Sequence, residues 1–92
     1  MAVCSFIATA TPLFRLGAIP VLGDCDENGN ISPIDTTDRF SSNTRGIVAT
    51  HLWGVPCDIQ SFSSLAQTQN LVLIENIAYA YGTKINERHL NT

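Results

Sequence analysis

Apolar residues in this chain fall into short blocks separated by polar punctuation. Leu71-Val72-Leu73-Ile74 follows the turn residue Asn70 and stops at Glu75-Asn76, the pattern of a buried strand that ends in a polar pair. Gly46-Ile47-Val48-Ala49-Thr50-His51 is apolar almost throughout, as parallel strands covered on both faces are. Between these two runs, Asp58 stands at a helix-cap position, and Ile59, Phe62, Leu65 and Ala66 share one helical face at spacings of three and four. Strand, helix and strand in that order predict a parallel pair joined by a right-handed crossover, with the apolar helix face on the sheet.

The first half continues the alternation. Val3 to Ile7 predicts a short strand. Thr11-Pro12 predicts a helix start and Gly17 its stop, with the helix reaching about Leu16. Ala18 to Leu22 predicts a second strand, with Pro20 near its beginning because proline cannot donate to a ladder. Ser32-Pro33-Ile34-Asp35 combines a capping hydroxyl, a first-turn proline and an acid three residues on, which predicts a short helix to about Phe40. The fold class expected is α/β, as a partial three-layer α/β/α parallel sheet. Ligands in such sheets bind beyond the carboxyl ends of the strands, which makes His51, Trp53, Glu75 and Asn76 the candidate site residues.

Length changes this picture. At 92 residues the chain buries only about 60–65% of its unfolded surface, yet a parallel sheet needs cover on both faces. Residues 1–92 are therefore expected to be a single partial domain of a larger layer. With a net charge of −3 and basic residues scattered as Arg15, Arg39, Arg45, Lys84 and Arg88, no basic stripe is available for nucleic acid. The apolar runs break well short of the roughly 20 residues a membrane helix needs, and the start lacks the basic region of a secretory signal. A cytoplasmic protein is expected. Cys4, Cys25 and Cys57 fit neither a disulfide framework nor zinc knuckles, and Cys57, just before a helix, is either a structural thiol or a reactive one.

Several local patterns carry chemistry. Asp24-Cys25-Asp26-Glu27-Asn28-Gly29-Asn30, continued to Asp35, has the residue order of a calcium loop, although strand character before it and Asp in place of Glu at the last position favour a polar strand-to-helix turn. His51 is either an acid–base group or a packed loop residue beside Trp53. Glu75 is a general-base candidate or a structural carboxylate. No Gly-x-Gly-x-x-Gly, phosphate loop or serine elbow occurs.

Four strings in order along the chain carry a family resemblance. They are Ser5-Phe6-Ile7-Ala8-Thr9-Ala10, Gly17-Ala18-Ile19-Pro20-Val21 with Asp24 and Asp26, His51-Leu52-Trp53-Gly54-Val55-Pro56-Cys57-Asp58, and Leu73-Ile74-Glu75-Asn76-Ile77-Ala78. The chain resembles the DegT/DnrJ/StrS type of pyridoxal-phosphate-dependent sugar aminotransferases. The resemblance implies an internal piece of the large domain of a fold-type I enzyme, which as a dimer moves an amino group from glutamate or glutamine to a keto sugar nucleotide. It implies that a family Asp at the pyridine nitrogen is replaced here by Asn76, and a family Gln or His lying against the cofactor by Tyr79. It assigns no catalytic residue and no metal ligand to this chain. The phosphate-binding Gly-Thr segment and the Schiff-base lysine of the family are expected outside these residues, so the chain alone is expected to be inactive and its hold on pyridoxal phosphate (PLP) weak. Lys84 lies at a position the family does not use. Alternatives from other classes are a non-catalytic interaction module that forms a homodimer or pairs with a full-length aminotransferase subunit, a small calcium-binding protein, and a residual enzyme using Lys84.

Overall fold

A computed structural model describes Met1 and residues 7–90. Its centre is a β-α-β unit. Strand β1 (Gly46–Thr50) and strand β2 (Val72–Asn76) run parallel, in register from Gly46 opposite Val72 to Thr50 opposite Asn76. Helix α3 (Ile59–Gln69) crosses between them, while α1 (Ile7–Arg15) and α2 (Pro33–Asp38) precede the sheet. A hairpin of β3 (Lys84–Ile85) and β4 (Arg88–His89) follows it.

Local chemistry sets these boundaries. The Asp58 side chain accepts the Ser61 N–H at the start of α3, and Asn70 ends the helix with φ of 55°, a left-handed turn that Asn tolerates better than most residues. At α2 the Ser32 hydroxyl accepts from Asp35 N–H, and Pro33 occupies the first turn, where no donor is needed. Gly17, at φ 78°, closes α1: Gly17 N–H reaches Phe14 C=O at 3.1 Å, and Ala18 N–H reaches Leu13 C=O at 2.9 Å.

The core lies between one face of the sheet and α3. Ile47 and Ala49 from β1 and Phe62 from α3 are buried, closed at the edge by Ile31 and Cys57, with Ile59, Leu65 and Leu73 packed against them. Burial of Phe62 alone contributes about 1.5–3 kcal/mol.

Three expectations are corrected, and one element is new. Helix α1 starts at Ile7, not at Thr11, so Pro12 lies inside it. A single missing N–H interrupts one backbone bond of a short helix without ending it. Ala18 to Leu22 is not a strand; Ile19, Val21 and Leu22 are exposed, and this segment's backbone meets Met1, through Met1 N to Val21 C=O at 3.2 Å and Gly23 N–H to Met1 C=O at 2.7 Å. Strand β2 ends in the polar pair Glu75-Asn76 as expected, but it is not the buried strand its apolar run predicts, since Val72 and Ile74 are exposed. The terminal hairpin was not anticipated; Asn86 and Glu87 both adopt positive φ, the conformation of a tight two-residue turn. The strand expected at Val3 to Ile7 lies outside the described residues save for Ile7, which begins α1. No helix among the described residues is long and apolar enough to cross a membrane.

Candidate functional site

The two parallel strands end side by side, and the period of two along each separates their side chains by face. Ile47, Ala49, Leu73 and Glu75 belong to the face packed on α3. Val48, Thr50, Val72, Ile74 and Asn76 belong to the other. The chain leaves β1 with His51 N–H donating to Asn76 C=O at 3.1 Å, so the sheet pairing carries one residue past Thr50.

The His51 ring is fully buried. Its Nδ1 accepts the Cys57 N–H at 3.0 Å, which leaves the ring proton on Nε2, 3.3 Å from Glu75 Oε2. His51 therefore ties the end of β2 to the turn before α3, and its partners identify it as a fixed bridge within the packed loop. Burial, reinforced by the charges of Glu75 and Asp58, pushes the Cys57 thiol up to about 12. Such a thiol is not a nucleophile near neutrality, so of the two roles considered for Cys57 the structural one holds.

The loop from His51 to Cys57 is gripped from its other side by Asn30, also fully buried. Asn30 Oδ1 accepts Leu52 N–H at 2.9 Å and its Nδ2 donates to Val55 C=O at 2.9 Å. Asp26 in turn holds the Asn28 and Asn30 N–H groups on one carboxylate oxygen at 2.8 and 3.0 Å. The stretch with calcium-loop order is thus a turn that presents Asn30 as a bracket, with Asp24, Asp26 and Asp35 directed at backbone donors and Asp35 also at Arg39. Among the described residues no group of three or more His, Cys, Asp or Glu is placed to hold a metal.

At the tip of the bracketed loop, Trp53 and Gly54 both take left-handed conformations, at φ 51° and 79°. For tryptophan this costs energy that the flanking hydrogen bonds must offset. Trp53 is 70% exposed, and Gly54 N–H donates to Tyr79 C=O at 2.8 Å, linking the two loops beyond the strand ends. Tyr79 is itself partly exposed in the turn after β2.

On the opposite face, Asn76 spans two elements. Its Oδ1 accepts Ala78 N–H at 3.1 Å, and its Nδ2 donates to Thr9 Oγ1 of α1 at 3.1 Å. The backbone donor fixes which end of the amide is oxygen. Beside it in register, the buried Thr50 hydroxyl has no hydrogen-bond partner among the described residues. Thus the structure brings His51, Glu75 and Asn76 together, carries Trp53 and Tyr79 on two bonded loops, and sets Lys84 on the exposed terminal hairpin. Thr9, Asn30 and Thr50 were not singled out from the sequence. Only Asn30 left a signal, in the Asn-Gly-Asn turn.

The chain as a whole is similar to known proteins. The model of the DegT/DnrJ/EryC1/StrS aminotransferase family matches residues 1–92. The chain belongs to that family. It is 33% identical to the GDP-perosamine synthase of Escherichia coli O157:H7 over 96% of its own length and 24% of that protein's. An aminotransferase structure from Psychrobacter cryohalolentis superposes with a TM-score of 0.90 at 39% identity, covering 94% of this chain and 22% of that one. A more distant E. coli GDP-4-keto-6-deoxy-D-mannose-3-dehydratase, solved with bound hydrated PLP, shares the fold at a TM-score of 0.83 and 19% identity, over 100% of this chain and 24% of that one. The chain spans about a quarter of the length of the curated relatives it matches. Its α/β fold is that of the fold-type I family members, with one parallel strand pair and its crossover helix inside the described residues.

Proposed function

We propose that the protein is a PLP-dependent aminotransferase acting on a keto sugar carried by a nucleotide, and that this chain forms the part of its large domain that holds the cofactor ring. Support comes from the family match together with one structural observation: at the ends of the parallel strands, Asn76 and a buried Thr50 hydroxyl with no partner among the described residues stand on the same face, with Tyr79 on the following turn. Bound there, PLP supplies an electron sink for moving an amino group. Asn76 would meet the ring nitrogen and Tyr79 would lie against the ring. His51, through Glu75 and the Cys57 N–H, keeps the strand end and the loop in one geometry, and Trp53 forms the exposed rim. The residues fit the ring as hydrogen-bonding partners. They do not fit it as a counter-charge, because Asn76 is a neutral amide where a carboxylate would hold a ring proton. Slow amino transfer is the expected consequence.

Equilibrium dialysis against PLP, followed by an assay of amino transfer from glutamate to a nucleotide-linked keto sugar, tests this assignment. Saturable binding that weakens in an Asn76→Leu variant is expected. Absence of saturable binding overturns it.

A non-catalytic interaction module is favoured by a different observation. Val72 and Ile74 are 62% and 50% exposed, and a groove of about 650 Å³ runs along that side of the sheet, lined by Leu13, Ile19 and Val21 as well. In this role the open face pairs with a second copy or with a full-length aminotransferase subunit. A defined oligomer without affinity for PLP is the outcome that would favour it over the enzyme.

A further inference from the structure

What Asn76 can offer a ligand is fixed by the bonds it already makes. Its Oδ1 accepts from Ala78 N–H and its Nδ2 gives one of two hydrogens to Thr9 Oγ1. One N–H and one neutral lone pair remain. On the same face of the sheet stand Val48, Thr50, Val72 and Ile74, none of them ionisable, and α1 contributes the Thr9 hydroxyl. The next carboxylate along the strand, Glu75, belongs to the opposite face, and its Oε2 lies 3.3 Å from His51 Nε2. The unpartnered Thr50 hydroxyl adds a further polar group there but no charge.

A cationic ring nitrogen at Asn76 would therefore be partly withdrawn from water with no anion to balance it. An uncharged ring nitrogen, whose lone pair is free, meets a donor instead. The difference in desolvation favours the second arrangement.

We propose that Asn76 selects the uncharged form of the cofactor's pyridine ring by donating its remaining Nδ2–H to the ring nitrogen. This rests on the PLP assignment above and adds what the site does to the ring. The ring is held in place yet accepts electrons poorly.

The test is to load the protein with PLP carrying ¹⁵N at the ring nitrogen and record its signal from mildly acidic to mildly basic pH, for the native protein and for Asn76→Asp. The native protein should give the unprotonated pyridine position throughout, and the Asp variant should shift it to the protonated position. A protonated signal in the native protein overturns the inference while leaving the PLP site intact. An unprotonated signal in both proteins also overturns it, since Asn76 then does not decide the ring's state. No saturable signal from either protein overturns the PLP assignment, and the inference with it. If Asn76→Asp fails to fold, the native profile decides alone: a signal that titrates across this range counts against Asn76 as the selecting group.

Discussion

The two faces of the small parallel sheet have been completed to different degrees. On the α3 side, Ile47, Ala49 and Phe62 are buried together, and the polar residues at the rim, His51 and Asn30, use both ends of their side chains. On the other side Val72 and Ile74 stay exposed, and Thr50 keeps a buried hydroxyl without a partner among the described residues. The first face thus holds the described structure together, while the second is left open among the described residues. Asn76 lies on the second, tied to Thr9 of α1 and to Ala78 N–H.

Perturbing the two faces should give effects of different size. Phe62→Ala on the closed face should cost about 3–5 kcal/mol, enough to abolish a cooperative urea transition followed by circular dichroism. A retained, sharp transition would mean that the core is not where the packing puts it. Asn30→Ala should cost about 1–3 kcal/mol, because it leaves the buried Leu52 N–H without an acceptor. The same urea titration measures it, with a shifted midpoint as the signature.

The Cys57 thiol gives the closed face an alkaline limit. Because burial raises its pKa from 9.0 to about 12, the folded state keeps a proton that the unfolded state loses. The thiol's contribution is complete below pH 9.0 and declines as pH rises toward about 12, so unfolding midpoints should fall over that window and recover in part in Cys57→Ala. On the open face, Ile74→Thr should change stability by only about 0.5 kcal/mol or less. If the open face pairs with a second copy, its effect should show instead in reduced self-association on sedimentation, and a loss of stability matching that of a core substitution would place Ile74 in the wrong environment.

The closed face was the legible one. The spacing of Ile59, Phe62, Leu65 and Ala66 is a direct consequence of helical geometry, and Ser32 and Asp58 announce their helices because few residues can satisfy free N–H groups. The β1 and β2 strands were legible from their apolar runs, although Val72 and Ile74 of β2 stay exposed. By contrast, Ile19, Val21 and Leu22 have strand composition without strand partners in the described structure. Composition reports what a segment would bury, not which neighbour it meets. Pro12 misled because a proline that can open a helix can also be accommodated within a short one. His51, Glu75 and Asn76 lie at the strand ends, where the apolar runs place them. Asn30 and Thr9 act across 22 and 67 residues of sequence, at distances no local pattern encodes.

Trp53 is the chain's single tryptophan, and a Cβ added to Gly29 would lie 3.9 Å from its Cζ3, so its indole sits over the bracketed turn while most of its surface meets water. The molecule consequently carries its own optical reporter at the mouth of the candidate site. Within this chain, anything that covers the tip should change the intensity or wavelength of indole emission, with no label attached.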